Sequence, residues 1–133
     1  MAKKSEVNLE MIEYDPGKGP ITIEVTSGYS TLGTFILAYA KKGDYAFQEF
    51  GKEPKRIDDN IPDVFLIPLP LDDLPQYRVV IIGKYKTAPG HNQVEVTYRF
   101  FQDGKSIHET TIEIEASEDY QRTSNKYEFA RKG

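Results

Sequence analysis

The chain has 133 residues, a formal charge of −4 and no cysteine. That excludes disulfides, thiolate metal centres and a thiol nucleophile. Acids and bases are interspersed, which excludes the basic stripe that nucleic acid or an anionic membrane requires.

The length is that of one domain, and such a chain buries roughly two-thirds of its unfolded surface, so a core needs no metal, cofactor or crosslink. The first residues, MAKKSEVNLE, carry two lysines with no apolar run behind them. Neither a signal peptide nor a transmembrane segment is read there, no membrane role is expected, and the cytoplasm is the default compartment.

Ser5–Tyr14 alternates weakly. Val7, Leu9 and Met11 share one parity, Ile12 and Tyr14 the other, which predicts a strand with a bulge or twist near Met11. Asp15-Pro16-Gly17-Lys18-Gly19-Pro20 is a dense turn. Ile21, Ile23 and Val25 then alternate with Thr22, Glu24 and Thr26 as a regular strand.

Thr31–Lys41 is apolar on both faces through Phe35, Ile36, Leu37, Ala38 and Tyr39. After Gly43-Asp44, a shorter strand is predicted over Tyr45–Phe50. Gly51–Asp63 is the longest polar connection. Val64–Leu71 runs into Pro68 and Pro70, and because proline cannot donate to a ladder, this strand is expected at a sheet edge or crossing between sheets. Tyr77–Lys86 is again apolar on both faces, through Val79, Val80, Ile81 and Ile82.

Gln93–Ala116 reads as two long strands turning at Gln102-Asp103-Gly104. Val94, Val96, Tyr98 and Phe100 fall on even positions, as do Ile112, Ile114 and Ala116. A two-residue turn would pair even with odd and expose one set. A three-residue loop with Gly104 at positive φ is therefore predicted, placing His108 inward opposite Tyr98 and Ile107 outward. The rival is a two-residue turn with a bulge near Ile107–Glu109. Residues 117–133 are expected to be a polar C-terminal tail or a short terminal strand through Tyr127 and Phe129, with a helix start at Ser117 equally open.

About eight strands with Gly/Pro turns and no helical period predict an all-β fold. The expected form is a single antiparallel β-sandwich over 1–133, immunoglobulin-like or jelly-roll-like, with a small barrel as the alternative. The cysteines and tryptophan of an immunoglobulin core are absent.

Candidates for chemistry are few. Asp58, Asp59, Asp63, Asp72 and Asp73 cluster in two loops that could converge on calcium, but no Asp-x-Asp-x-Asp-Gly pattern is present and solubilising loops are the preferred reading. Of the two histidines, His91 lies in a turn, and His108-Glu109 lacks the second histidine of a zinc-protease motif. There is no Gly-x-Ser-x-Gly elbow and no phosphate loop. No enzyme and no metal are expected.

The aromatic and apolar residues carry more weight. Covering the second face of Phe35–Ala40 and Val79–Ile82 is worth on the order of 1.5–3 kcal/mol per buried side chain. Either the chain itself or a second subunit should cover it. The residues singled out for binding are Tyr39, Tyr45, Phe47, Tyr77, Tyr85, Leu66 and Leu69. The expected function is a non-enzymatic interaction module that takes a protein partner or forms a homo-oligomer. The alternative is carbohydrate binding through loop tyrosines, assisted by calcium.

Overall fold

Strands with one apolar parity bury it by stacking face to face. The computed structural model describes residues 8–27, 31–53, 63–87, 90, 92–115 and 119–132. Among them are nine strands: β1 Asn8–Tyr14, β2 Ile21–Ser27, β3 Thr31–Lys41, β4 Gln48–Glu53, β5 Asp63–Leu66, β6 Tyr77–Thr87, β7 Gln93–Gln102, β8 Lys105–Glu115 and β9 Gln121–Arg131. A 3-10 turn spans Leu74–Gln76.

One sheet has five strands in the order β1-β9-β6-β3-β4, and the other has four in the order β5-β2-β7-β8. The fold is an all-β sandwich. Pairing is antiparallel except between β1 and β9, which run parallel.

The core lies between the inward parities. Ile23, Val25, Val96, Tyr98 and Phe100 of the smaller sheet meet Phe35, Leu37, Val79, Ile81, Tyr127 and Phe129 of the larger. Burial alternates residue by residue along β2 and β7, as half-buried strands require.

Tyr85 crosses the core at one end and shares a hydrogen bond of 2.6 Å with Tyr98. Its ring lies where side chains at two glycines would stand. A Cβ on Gly83 would come within 2.3 Å of the ring, and one on Gly33 within 2.6 Å.

Four expectations about strands and turns are corrected. The largest concerns residues 117–133: Gln121–Arg131 is neither a tail nor a brief strand but an eleven-residue strand lying between β1 and β6. Asn125, Tyr127 and Phe129 face inward while Lys126 and Glu128 take the opposite parity, so a polar outer face hides a core strand.

Second, β1 pairs with β9 over seven consecutive residues without a bulge. Ile12 and Tyr14 are buried, while Leu9 and Met11 remain on the outer face.

Third, the β7–β8 turn has two residues, not three. Gln102 pairs with Lys105, and Asp103 and Gly104 both have positive φ (52° and 78°), as a type I′ turn needs. Even-to-even pairing is restored by Ile107, which is left out of the ladder between Ser106 and His108, so the rival geometry holds. His108 consequently stands opposite Phe100, not Tyr98, and Ile107 packs against the core instead of facing outward.

Fourth, β4 starts at Gln48, so Tyr45 and Phe47 precede it. The ladder with β3 shifts register at Leu37/Ala38, leaving Phe50 as the extra residue, and it packs against the core.

Elsewhere β3 has the expected limits, and β5 is the expected edge strand ahead of Pro68 and Pro70.

Candidate functional site

The residues singled out for binding separate into three environments. Tyr39 of β3 and Tyr77 of β6 meet edge to face with ring centroids 5.8 Å apart. Phe50 joins Tyr39 at 5.9 Å. All three rings are partly exposed at the end of the sandwich where β3 hands over to β4. Tyr45 (94% exposed) and Phe47 lie in that connection. Phe50 was not anticipated, because nothing in the sequence marks a bulge that turns an alternating residue inward.

Tyr85 is a correction. Its ring is wholly buried and its hydroxyl is bound to Tyr98. Burial pushes its pKa upward, as it does for Tyr98 and Tyr127. It is a core residue and offers no contact surface.

Leu66 and Leu69 divide likewise. Leu66 points outward from β5 with Val64, while Leu69 packs against the core.

The outer face of the five-stranded sheet carries the double-sided strands. Across it the ladders place Ala38, Val80, Lys126 and Leu9 in one row, and Ile36, Ile82 and Ser124 in the next. Val80 is only 3% exposed, flanked by a small alanine and the aliphatic stem of Lys126. Ile36, Leu9 and Met11 stay exposed.

One row further, Glu128 accepts two hydrogen bonds from Arg78, from Nε at 3.0 Å and Nη2 at 2.6 Å, and lies 3.6 Å from Lys42 Nζ. The bonds from Arg78 hold its carboxyl below the usual range against the opposing effect of burial, and Lys42 adds to them.

The same face ends in cations. Lys84 and Arg122 are directly opposite in the β6–β9 ladder, both exposed. Lys86 stacks over the Tyr120 ring at 4.8 Å. On the other side of the molecule, Glu95 and Glu113 are directly opposite in the β7–β8 ladder, again both exposed. Among the described residues, none of these four has an opposite charge within ion-pair distance.

Where β1 lies beside β8, Glu10 Oε1 accepts from His108 Nε2 at 2.5 Å and from Thr110 Oγ1 at 2.8 Å. Tyr127 donates to Thr110 Oγ1 at 3.0 Å. The parity of Glu10 held the available signal, since it shares the inward parity of Ile12 and Tyr14.

The acidic loops do not assemble. Arg131 lies 3.5 Å from Asp72, and Asp73 precedes the 3-10 turn. Asp63 begins β5. Asp58, Asp59 and His91 lie outside the described residues. Among the described residues, no three acids or histidines are grouped to hold a metal ion. No helix among them is long and apolar enough to cross a membrane.

No family model matches the chain, and no curated protein does. Among solved structures, the chain is similar to a domain of unknown function from Bacteroides vulgatus, with 12% identity, a TM-score of 0.39, and coverage of 82% of this chain and 93% of that one.

Proposed function

We propose that this chain is a non-enzymatic interaction module that binds protein, itself or a partner, through the outward surfaces of its sheets and the β5 edge. One observation carries the reading. Leu9, Met11, Ile36, Val64 and Leu66 are 41–59% exposed, and all five sit on strand faces turned to solvent, not on loop tips. Large apolar side chains exposed on flat, hydrogen-bonded surfaces favour a macromolecular contact.

The β5 edge adds to this. Its four residues stand last in the order of the four-stranded sheet among the described strands, and two of them, Val64 and Leu66, turn apolar side chains outward. The Glu10–His108 pair is engaged in joining two strands, which fits a structural role better than catalysis.

The test is solution mass by light scattering, together with cross-linking from photo-reactive side chains placed at Ile36 or Leu66. A mass above that of one chain, or a cross-linked protein that requires the folded state, supports the reading. A strict monomer that cross-links to nothing removes it.

A carbohydrate reading draws on Tyr45 and Phe47, exposed beside the Tyr39–Tyr77 pair, since exposed rings stack on sugars. A glycan array decides it: binding lost in Tyr45→Ala supports this reading, and a blank array eliminates it.

A further inference from the structure

Two like-charge pairs of opposite sign stand on opposite outer faces of the sandwich. Lys84 and Arg122 face each other across the β6–β9 ladder, and Glu95 and Glu113 across the β7–β8 ladder. Like charges set directly opposite in a sheet repel, and nothing among the described residues relieves either pair.

Their positions are related. Thr31, which pairs with Thr87 at the end of β6, bonds through its hydroxyl to both the N–H and the carbonyl of Glu95, at 2.8 and 3.1 Å. Tyr85, next to Lys84, reaches through the core to Tyr98 on β7. Tyr127 on β9 reaches Thr110 on β8. The two pairs therefore lie toward the same end of the sandwich on its opposite outer faces, so the molecule carries a charge dipole across its thickness.

We propose that copies of this chain stack face to back. The outer face of the five-stranded sheet of one copy rests on the outer face of the four-stranded sheet of the next, and Lys84 and Arg122 oppose Glu95 and Glu113. A copy displaced along the sandwich normal brings the pairs together without turning end for end. Each repulsive pair then gains counter-charges, and Ile36 and Ile82 of the same face are covered. The contact is heterologous, so it extends beyond a dimer unless a rotation closes it. The proposal rests on the self-binding form of the reading above.

Charge reversal tests it while leaving the fold alone, since Lys84→Glu with Arg122→Glu, or Glu95→Lys with Glu113→Lys, keeps each pair like-charged within its own sheet. Sedimentation velocity is run at about 10 mM salt, where the Debye length is about 30 Å, and at about 1 M, where it is about 3 Å. The wild-type mass is expected to rise with concentration past that of two chains at low salt and to fall to one chain at high salt. Each double variant is expected to stay monomeric. An equimolar mixture of the two is expected to associate again, because one then carries acids and the other bases on every face.

A mixture that stays monomeric overturns the proposal. So does wild-type association that survives both reversals, and if Leu66→Lys abolishes that association, the broader reading still stands. A monomeric wild-type chain that cross-links to a foreign protein from position 36 likewise overturns the stacking and leaves the partner-binding reading intact.

Discussion

Glu10 Oε1 and His108 Nε2 lie 2.5 Å apart across the seam between β1 and β8, the last strands of the two sheets on that side. The same carboxylate oxygen holds Thr110, whose hydroxyl accepts from Tyr127. A cluster of side-chain hydrogen bonds thus ties the two sheets together along this side of the sandwich.

Glu10→Ala removes the acceptor for both His108 and Thr110. Because the carboxylate and the imidazole are each partly exposed, the loss is discounted to about 1 kcal/mol. Urea unfolding of Glu10→Ala, His108→Ala and the double variant measures it. The two substitutions are expected to be non-additive, and strict additivity would show that the pair contributes nothing.

The Arg78–Glu128 pair gives a signed pH dependence. The folded carboxyl is held below its ordinary value of 4.5. Its contribution is therefore fully present above that value and is lost as pH falls through the lower folded pKa. Glu128→Gln should lower stability at neutral pH and flatten the acid limb of the stability curve. An unchanged acid limb would place the pair's energy elsewhere.

Much of this was legible as parity and some was not. Strands β2, β3, β6 and β7 alternate or run apolar in the sequence and are found within a residue of where they were read. β9 reads as only a tail or a short terminal strand because its inward parity opens with Gln121, Thr123 and Asn125 and its outer set is largely polar, so composition outweighs the alternation of Tyr127 and Phe129. The hairpin turn stays ambiguous in the sequence because parity constrains the sum of loop and bulge, and a three-residue loop and a two-residue turn with Ile107 bulged satisfy it equally. Tyr85 reads as a surface residue because its burial depends on a neighbour three strands earlier in the chain: Gly33 leaves the space its ring fills.

Gly83→Ala tests that packing. The added methyl group would stand 2.3 Å from the Tyr85 ring, and overpacking of this kind costs about 1–3 kcal/mol. The ring cannot swing away without breaking the Tyr85–Tyr98 hydrogen bond.

Alkali probes the same pair. Tyr85 and Tyr98 have pKa values raised by burial above the ordinary 10.0. They stabilise the fold fully below that value and progressively less as pH rises beyond it, since only the unfolded chain ionises freely. Tyr85→Phe should weaken this alkaline dependence, measured as the change in urea midpoint with pH.

Gln102 is the last residue of β7 and 3% exposed. Its amide donates to the carbonyls of Asp15 at 2.8 Å and Gly19 at 2.9 Å, and its oxygen accepts from the Asp15 N–H at 3.0 Å. One side chain therefore fastens the β1–β2 turn to the β7–β8 hairpin, with Asp103 adding a bond from Gly19 N–H at 3.1 Å. Gln102→Leu keeps the volume and leaves three backbone groups without their partner, a loss of about 1–3 kcal/mol. Gln102→Glu is expected to be worse at neutral pH, because a carboxylate can accept from Asp15 but cannot donate, and it would stand against two carbonyl oxygens. Hydrogen exchange at the Asp15 and Gly19 amides should quicken in both variants before the global unfolding rate changes. If both variants unfold at the wild-type urea midpoint, the amide's bonds carry little of the energy and packing holds the turn.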